Sequence, residues 1–408
     1  MHGMTGPVTD WTQDVLLPAA LVRHPARMGG RTEGDLLRGR LIVENGKLVR
    51  LASAPKTSTP QMILPRLVEP HCHLDKCHTI HRLDFVAGDL SAAIAAMSQD
   101  KALWTEEDLR HRATRGLAEA QAAGCGAVRS HVDWSDTGTA PRAWAVLQEL
   151  SRDMADRLHL QCAALAGIDQ MADDRFCAEV ARNVAQDGGV LGGFILSHER
   201  VTDGLRHMFA AADRFSLPLD FHVDEGLGSL NGLEAIADMA LATRFQGPIL
   251  CGHAVSLMDR APDDFARISG KLAQAGISVC ALPTTNLYLQ DRSEGTPDRR
   301  GLTKLRELDA AGVAILVGSD NVGDAFCPVG AHDPMAALHL TVLTGHLDPP
   351  LDRWLPAITT HAAQAMGLPQ IWLDGAHLKD LLISDASHLA DLISGRALRI
   401  PVSQKNAS

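Results

Sequence analysis

No run of apolar residues in this 408-residue chain approaches the roughly 20 needed to cross a bilayer as a helix. The opening stretch MHGMTGPVTDWTQD lacks the basic-then-apolar pattern of a secretory signal, so the expected compartment is the cytoplasm. Basic charge is scarce as well. With 38 Lys and Arg against 49 Asp and Glu, the net charge of −11 leaves no surplus for gripping nucleic acid or an anionic membrane. A small neutral or weakly cationic partner suits this balance better. CxxC pairs are absent: the eight cysteines are scattered and several lie inside apolar runs, which reads as reduced, buried thiols behaving as small hydrophobes. There is no internal repeat or low-complexity tract, and only the closing QKNAS reads as disordered. What remains is 46% hydrophobic and 21% charged, enough for one large domain with an ample core and a small one beside it.

From residue 66 to about 365 the chain alternates short β-like runs with helix-like stretches, the rhythm of parallel strands joined by crossover helices. The expected strands are RLVEPHCH, AVRSHVD, HLQCAALA, GVLGGFIL, LPLDFHVDE, PILCGHAV, ISVCALPTT and VAILVGSDN. Between the first two, Thr105-Glu106-Glu107-Asp108 reads as a capping box opening a helix with apolar Leu109, Ala113, Leu117 and Ala120, and Gly124 suits its end. Eight such units make the fold class α/β, most economically a (β/α)8 barrel, which needs about 250 residues plus insertions. A doubly wound sheet is the weaker alternative. In the flanks, LLRGRLIVENGKLVRLAS places strand runs around an Asn-Gly turn, and KDLLISDASHLADLISGRALRIPV is similarly rich in strand and turn residues. Residues 1–65 and 370–408 are therefore expected to build one small β domain beside a barrel of residues 66–369.

Barrels carry their chemistry at the C-terminal ends of the strands, and the unusual polar residues fall there. His71 and His73 close the first strand, His131 and Asp133 the second, and His222, Asp224 and Glu225 the fifth; His253 ends the sixth, Asp320 and Asn321 the eighth. In a strand, residues i and i+2 share a side, so His71 and His73 can reach one ion while Cys72 faces away. Any one of these residues could be a simple cap, but five strands ending alike is hard to reconcile with inward positions that branched apolar side chains otherwise fill. His71, His73, His222 and Asp320 supply three imidazole nitrogens and one carboxylate, a set suited to a divalent transition ion. Such an ion lowers the pKa of bound water from 15.7 to about 7, and Glu225 and His253 remain to move protons. The fourth strand, GVLGGFIL, has no lysine to bridge a second ion, so one ion is expected. His131 either positions substrate or hydrogen-bonds a loop, and His78, His81, His198 and His361 are expected outside the ligand set.

These motifs resemble the amidohydrolase superfamily, and within it the cytosine deaminase group. VEPHCHLDK is similar to that group's first-strand motif, VRSHVDWSD to its second, FHVDE to its fifth, GHA to its sixth and GSDNVGDAFCPVG, with Phe326, to its eighth; NLYLQDR and PDRRGLTKLREL resemble its loop and helix before the eighth strand. The resemblance implies a distorted (β/α)8 barrel beside a small β-sandwich made from both termini. It implies His71, His73, His222 and Asp320 as ligands of Zn2+ or Fe2+, Glu225 as proton shuttle, His253 as the group polarising the attacking water, and Asp320 as base. The implied reaction is hydrolytic loss of an exocyclic amine from a nitrogen heterocycle, with ammonia released.

Two departures bear on the substrate. Where the group has a glutamine after the third strand this chain has Gly167, with Asp169 and Gln170 the nearest polar substitutes, and a second aspartate after the eighth-strand ligand is Asn321. Asp320-Asn321 and Lys76 resemble instead the N-isopropylammelide hydrolase branch, which has histidine in place of Glu225. Gly167, Asp169, Gln170, Asn321, Phe326 and His131 are thus the expected substrate contacts, and Gly167 is expected to leave space for a ring bulkier than cytosine. The alternatives are hydrolysis of an N-alkylamino group or a cyclic amide and, from another class, a metal-stabilised binding protein without turnover. A homo-oligomer is left open.

Overall fold

The computed structural model describes residues 8–53, 59–83, 88–196, 199–228, 230–292 and 302–405. All eight segments with β-like composition are strands: β1 (Leu67–Cys72), β2 (Cys125–Asp133), β3 (His159–Gly167), β4 (Leu191–Ile195), β5 (Leu219–Val223), β6 (Ile249–His253), β7 (Ser278–Ala281) and β8 (Ile315–Val317). They pair in sequence order, each parallel to the next. β5, β6 and β7 are buried throughout, so the polar Asp220, His222 and His253 that they carry lie inside the barrel. Closure is local. β8 is only three residues long, and the ring is completed beyond it, where Asp320 N donates to His71 O at 2.9 Å. The result is a distorted (β/α)8 barrel.

The crossover helices follow their sequence signals. Thr105 Oγ1 accepts from Asp108 N at 3.1 Å and opens the helix Glu106–Ala123, whose first turn is acidic, as the positive end of a helix dipole favours. Leu109, Ala113, Leu117 and Ala120 face the core, and Gly124 stops the helix at φ 98°, a conformation that costs glycine nothing. Among the described residues no helix is long and apolar enough to cross a membrane.

The termini combine in a second, seven-stranded sheet. Strand Gln61–Pro65 lies between Val8–Pro18, which it parallels, and Leu381–Ser384, to which it is antiparallel. It then runs through Arg66 into β1, so the sheet anchors the strand that carries His71. Asn45 (φ 53°) and Gly46 (φ 73°) make the tight turn between Leu36–Glu44 and Lys47–Ala52. The tail differs from its strand-and-turn reading in two places: Val402–Lys405 is a helical turn, and Leu389–Ile393 is a short helix, because Leu389, Leu392 and Ile393, at i, i+3 and i+4, are buried together.

Candidate metal and catalytic site

His71 and His73 project from the end of β1, His222 from β5, and Asp320 from the turn after β8. The Nε2 atom of His222 lies 3.1 Å from that of His71 and 3.1 Å from that of His73, while Asp320 Oδ1 is 3.2 Å from His73 Nε2 and 3.5 Å from His71 Nε2. Four donor atoms from three separate segments therefore converge on one point. All four residues are buried, and burial holds His73 and His222 well below the usual histidine range, so both imidazoles are neutral. Burial pushes the Asp320 carboxyl up, but His71 and His73 outweigh it and hold it well below the carboxylate range. Neither Asp320 oxygen has a hydrogen-bond partner among the described residues. Unsatisfied buried acceptors are costly, and a cation coordinated by this set would relieve them. Edges of 3.1–3.5 Å suit bonds of about 2.0–2.2 Å in tetrahedral geometry, so the residues present fit a first-row divalent ion.

The backbone is shaped around this cluster. Asp224, His253 and Asp320 sit at positive φ (52°, 71° and 57°), where non-glycine residues are uncommon and persist when their surroundings hold them. Asp224 is held by accepting from Gly232 N at 2.9 Å and Leu233 N at 3.2 Å, which caps the next helix. Glu69, wholly buried, accepts from His71 N and Ser319 N at 3.1 Å each and ties β1 to the end of β8; burial raises its carboxyl to about 8.

Glu225 follows β5. Burial and the nearby Asp320 raise its carboxyl to about 8, with Lys76 opposing, so it carries a proton at neutral pH. Its Oε2 is 3.7 Å from His253 Nε2. Burial lowers His253 to about 3, and its Nδ1 is 3.0 Å from the amide nitrogen of Asn286. Because the amide donates, Nδ1 accepts, which leaves the hydrogen on Nε2 facing Glu225. A cavity of about 260 Å³ opens onto His222 and Glu225, with walls of Trp134, Leu165, Phe194 and Phe326. Lys76 lies over the Phe326 ring and 2.8 Å from Asp133, which also pairs with Lys101. Burial opposes both charges of the Lys76–Asp133 pair, but their attraction wins: the lysine is raised and the aspartate lowered.

Residues 82–374 match the amidohydrolase family. A pterin deaminase from Rhizobium rhizogenes (strain K84 / ATCC BAA-868) is 37% identical over 316 residues, 76% of this chain and 71% of that protein. The chain belongs to the amidohydrolase family. This amidohydrolase is a hydrolytic enzyme acting on C–N bonds. Among solved structures its fold is similar to 5-methylcytosine deaminase from Klebsiella pneumoniae (TM-score 0.79, 24% identity, covering 96% of each chain). It is also similar to N-isopropylammelide isopropylaminohydrolase from Burkholderia multivorans ATCC 17616 (TM-score 0.73, 22% identity, covering 96% of this chain and 97% of that one).

The amidohydrolase brings His71, His73, His222, Asp320, Glu225 and His253 together, and Gln170 and Phe326 line its cavity. The other expected substrate contacts lie elsewhere. The space a side chain would take at Gly167 is bordered by Gln170 Oε1 and a Phe194 ring carbon, each 3.2 Å from that position, and these two side chains rather than Gly167 line the cavity. Asp169 accepts from Arg200 N at 3.3 Å, and Asn321 donates to Asp324 at 2.7 Å. His131 joins the histidine cluster of the reaction site. It is wholly buried within the barrel, its Nε2 is 3.0 Å from Asp220, and its ring is tilted against that of His71 with the ring centres 4.0 Å apart. His361 faces a different cavity, His81 is exposed, and His198 and residues 297–301 of PDRRGLTKLREL lie outside the described residues. Sequence reasoning missed Asn286, although it too follows a barrel strand, and Lys101, which nothing in the sequence pattern connects to Asp133.

Two glycines make room for His71. A Cβ at Gly252 would stand 2.7 Å from His71 Cε1, and one at Gly318 2.9 Å from the His71 carbonyl oxygen. Gly252→Ala is therefore expected to displace the His71 ring and weaken cation affinity about 10–100-fold, the usual cost of disturbing a ligand's support. Zn2+ titration against a competing chelator reads this directly, and unchanged affinity would mean that the ring has slack.

Proposed function

We propose that this amidohydrolase removes the exocyclic amine of a fused, pterin-like nitrogen heterocycle, with water supplying the replacing oxygen and ammonia leaving. One divalent cation, Zn2+ or Fe2+, would be held by His71, His73, His222 and Asp320. The carrying observation is the convergence of those four donors beside Glu225 and His253, with His222 and Glu225 facing a cavity walled in part by Trp134, Phe194 and Phe326. The choice of ring rests on the 37% identical pterin deaminase and on flat aromatic walls that suit a flat bicycle.

When bound, the cation supplies the Lewis acidity that makes water nucleophilic near pH 7. Asp320 accepts a proton from the attacking water as its oxygen bonds to the amine-bearing carbon. Glu225 gives its proton to the adjacent ring nitrogen, which receives the electron pair of the opened C=N bond. The His253 Nε2–H donates to the oxygen on the tetrahedral carbon, in the manner of an oxyanion donor. The proton on Asp320 then passes to the amine, the C–N bond breaks and ammonia leaves. The remaining hydroxyl proton returns to Glu225 as the carbonyl forms.

Competitive turnover of cytosine against a panel of pyrimidines, triazines and pterins tests the ring assignment. A pterin is expected to exceed cytosine in kcat/KM by about 10²-fold, as one or two unmatched buried polar groups at roughly 1–3 kcal/mol each would produce. Cytosine ahead of every pterin would refute the ring while leaving deamination standing.

A further inference from the structure

A second cluster of donors lies between the segment after β1, the helix Glu106–Ala123 and the loop after β8, and it shares no residue with the reaction site. One donor atom each of Cys77, His78 and His332 lies within 4.8 Å of the others. Glu119 Oε1 is 3.4 Å from His78 Nε2. His332 is 1% exposed, and neither of its ring nitrogens has a hydrogen-bond partner among the described residues. His78 Nε2 and Glu119 Oε2 are likewise buried without a hydrogen bond. Four unsatisfied polar atoms in one place need a common partner. A His78–Glu119 pairing alone would still leave both nitrogens of His332 orphaned.

We propose that Cys77, His78 and His332 form a second cation site, of zinc type, that clamps these three segments together, with Glu119, which pairs with His78 and Arg115, at its edge. Two imidazoles and a thiol are donors that zinc favours, with water free to complete the set. The local backbone serves it. Consecutive residues in a strand point to opposite faces, but His78 sits at φ 60°, and its ring nitrogen comes near the Cys77 sulfur. A Cβ at Gly116 would stand 2.8 Å from His332 Nε2, so glycine there gives the ring its place. The Cys77 thiol has Leu74 O at 3.4 Å and Arg112 O at 3.5 Å as its acceptors, weak partners that a cation would replace. On binding, its S–H bond is exchanged for a bond to the cation and the proton goes to solvent. The Glu119 side chain, 28% exposed, offers the way in. The clamped segments carry His73, Lys76, Asp320 and Phe326, so the site would brace the reaction site from behind.

The test uses full-length His222→Ala protein, in which the reaction-site cluster is broken. After reconstitution with Zn2+ and dialysis it should retain about one equivalent, and adding either His332→Gln or His78→Gln should release it. The Co2+-loaded His222→Ala protein should show a thiolate-to-cobalt charge-transfer band that Cys77→Ser abolishes. Circular dichroism establishes that each variant is folded, and the two glutamine variants guard against the misfolding of one. The proposal is overturned if folded His222→Ala protein holds no Zn2+ after dialysis, if both glutamine variants leave its ion in place, or if the Co2+ form lacks the charge-transfer band.

Discussion

His222→Ala is expected to lose the reaction-site cation and, with it, at least about 10³-fold in kcat, because ionising water near pH 7 instead of 15.7 is worth many orders of magnitude. His222 is the most consequential ligand to remove. Its Nε2 is the atom that approaches both His71 and His73 at 3.1 Å, and β5, which carries it, is hydrogen-bonded to β4 and β6 along its whole length. Truncation leaves His71, His73 and Asp320 in place but opens one side of the cluster. Metal analysis of dialysed wild-type and variant protein should differ by about one equivalent, with turnover lost in step. Wild-type metal content together with wild-type rate would remove His222 from the site.

Glu225→Gln should separate chemistry from metal binding. Gln keeps the shape of the side chain and can neither give nor take the shuttled proton, so kcat is expected to fall about 10²–10⁴-fold while the cation stays. The variant should not be destabilised. Burial raises the Glu225 carboxyl from its ordinary 4.5 to about 8. As pH rises from 4.5 toward 8 the unfolded chain loses this proton while the folded chain keeps it, so the wild type loses stability over that window. Gln has no proton to lose. In cation-free protein the variant's Tm should therefore gain on the wild type between pH 5 and about 8. Near-normal turnover by Glu225→Gln would end the shuttle assignment.

The barrel was legible because eight short apolar runs alternate with helical stretches and five of them end in polar residues, and His71 and His73 could be paired because alternate residues of a strand share a side. His222, Glu225, His253 and Asp320 stood out as polar residues where branched apolar ones were due. The pocket wall was harder. Gly167 suggested space, but what borders that space, Phe194 from the neighbouring strand and Gln170 folding back, depends on packing across strands that a linear pattern does not encode. Asn321 was read as facing substrate, yet Asp324 three residues on captures its amide. The cluster of His78, Glu119 and His332 joins three segments far apart in the chain, and it emerges only when the loops after β1 and β8 are laid against one helix.

The central claim is that water replaces an amino group on a pterin-like ring. Its most direct test is turnover of a pterin by cation-loaded protein in ¹⁸O-labelled water, with ammonia and product followed together. The account predicts ammonia released in step with substrate consumed, ¹⁸O in the new carbonyl, and neither above background with Glu225→Gln. Product formed without ammonia, or ammonia released with no ¹⁸O in the ring carbonyl, would contradict it.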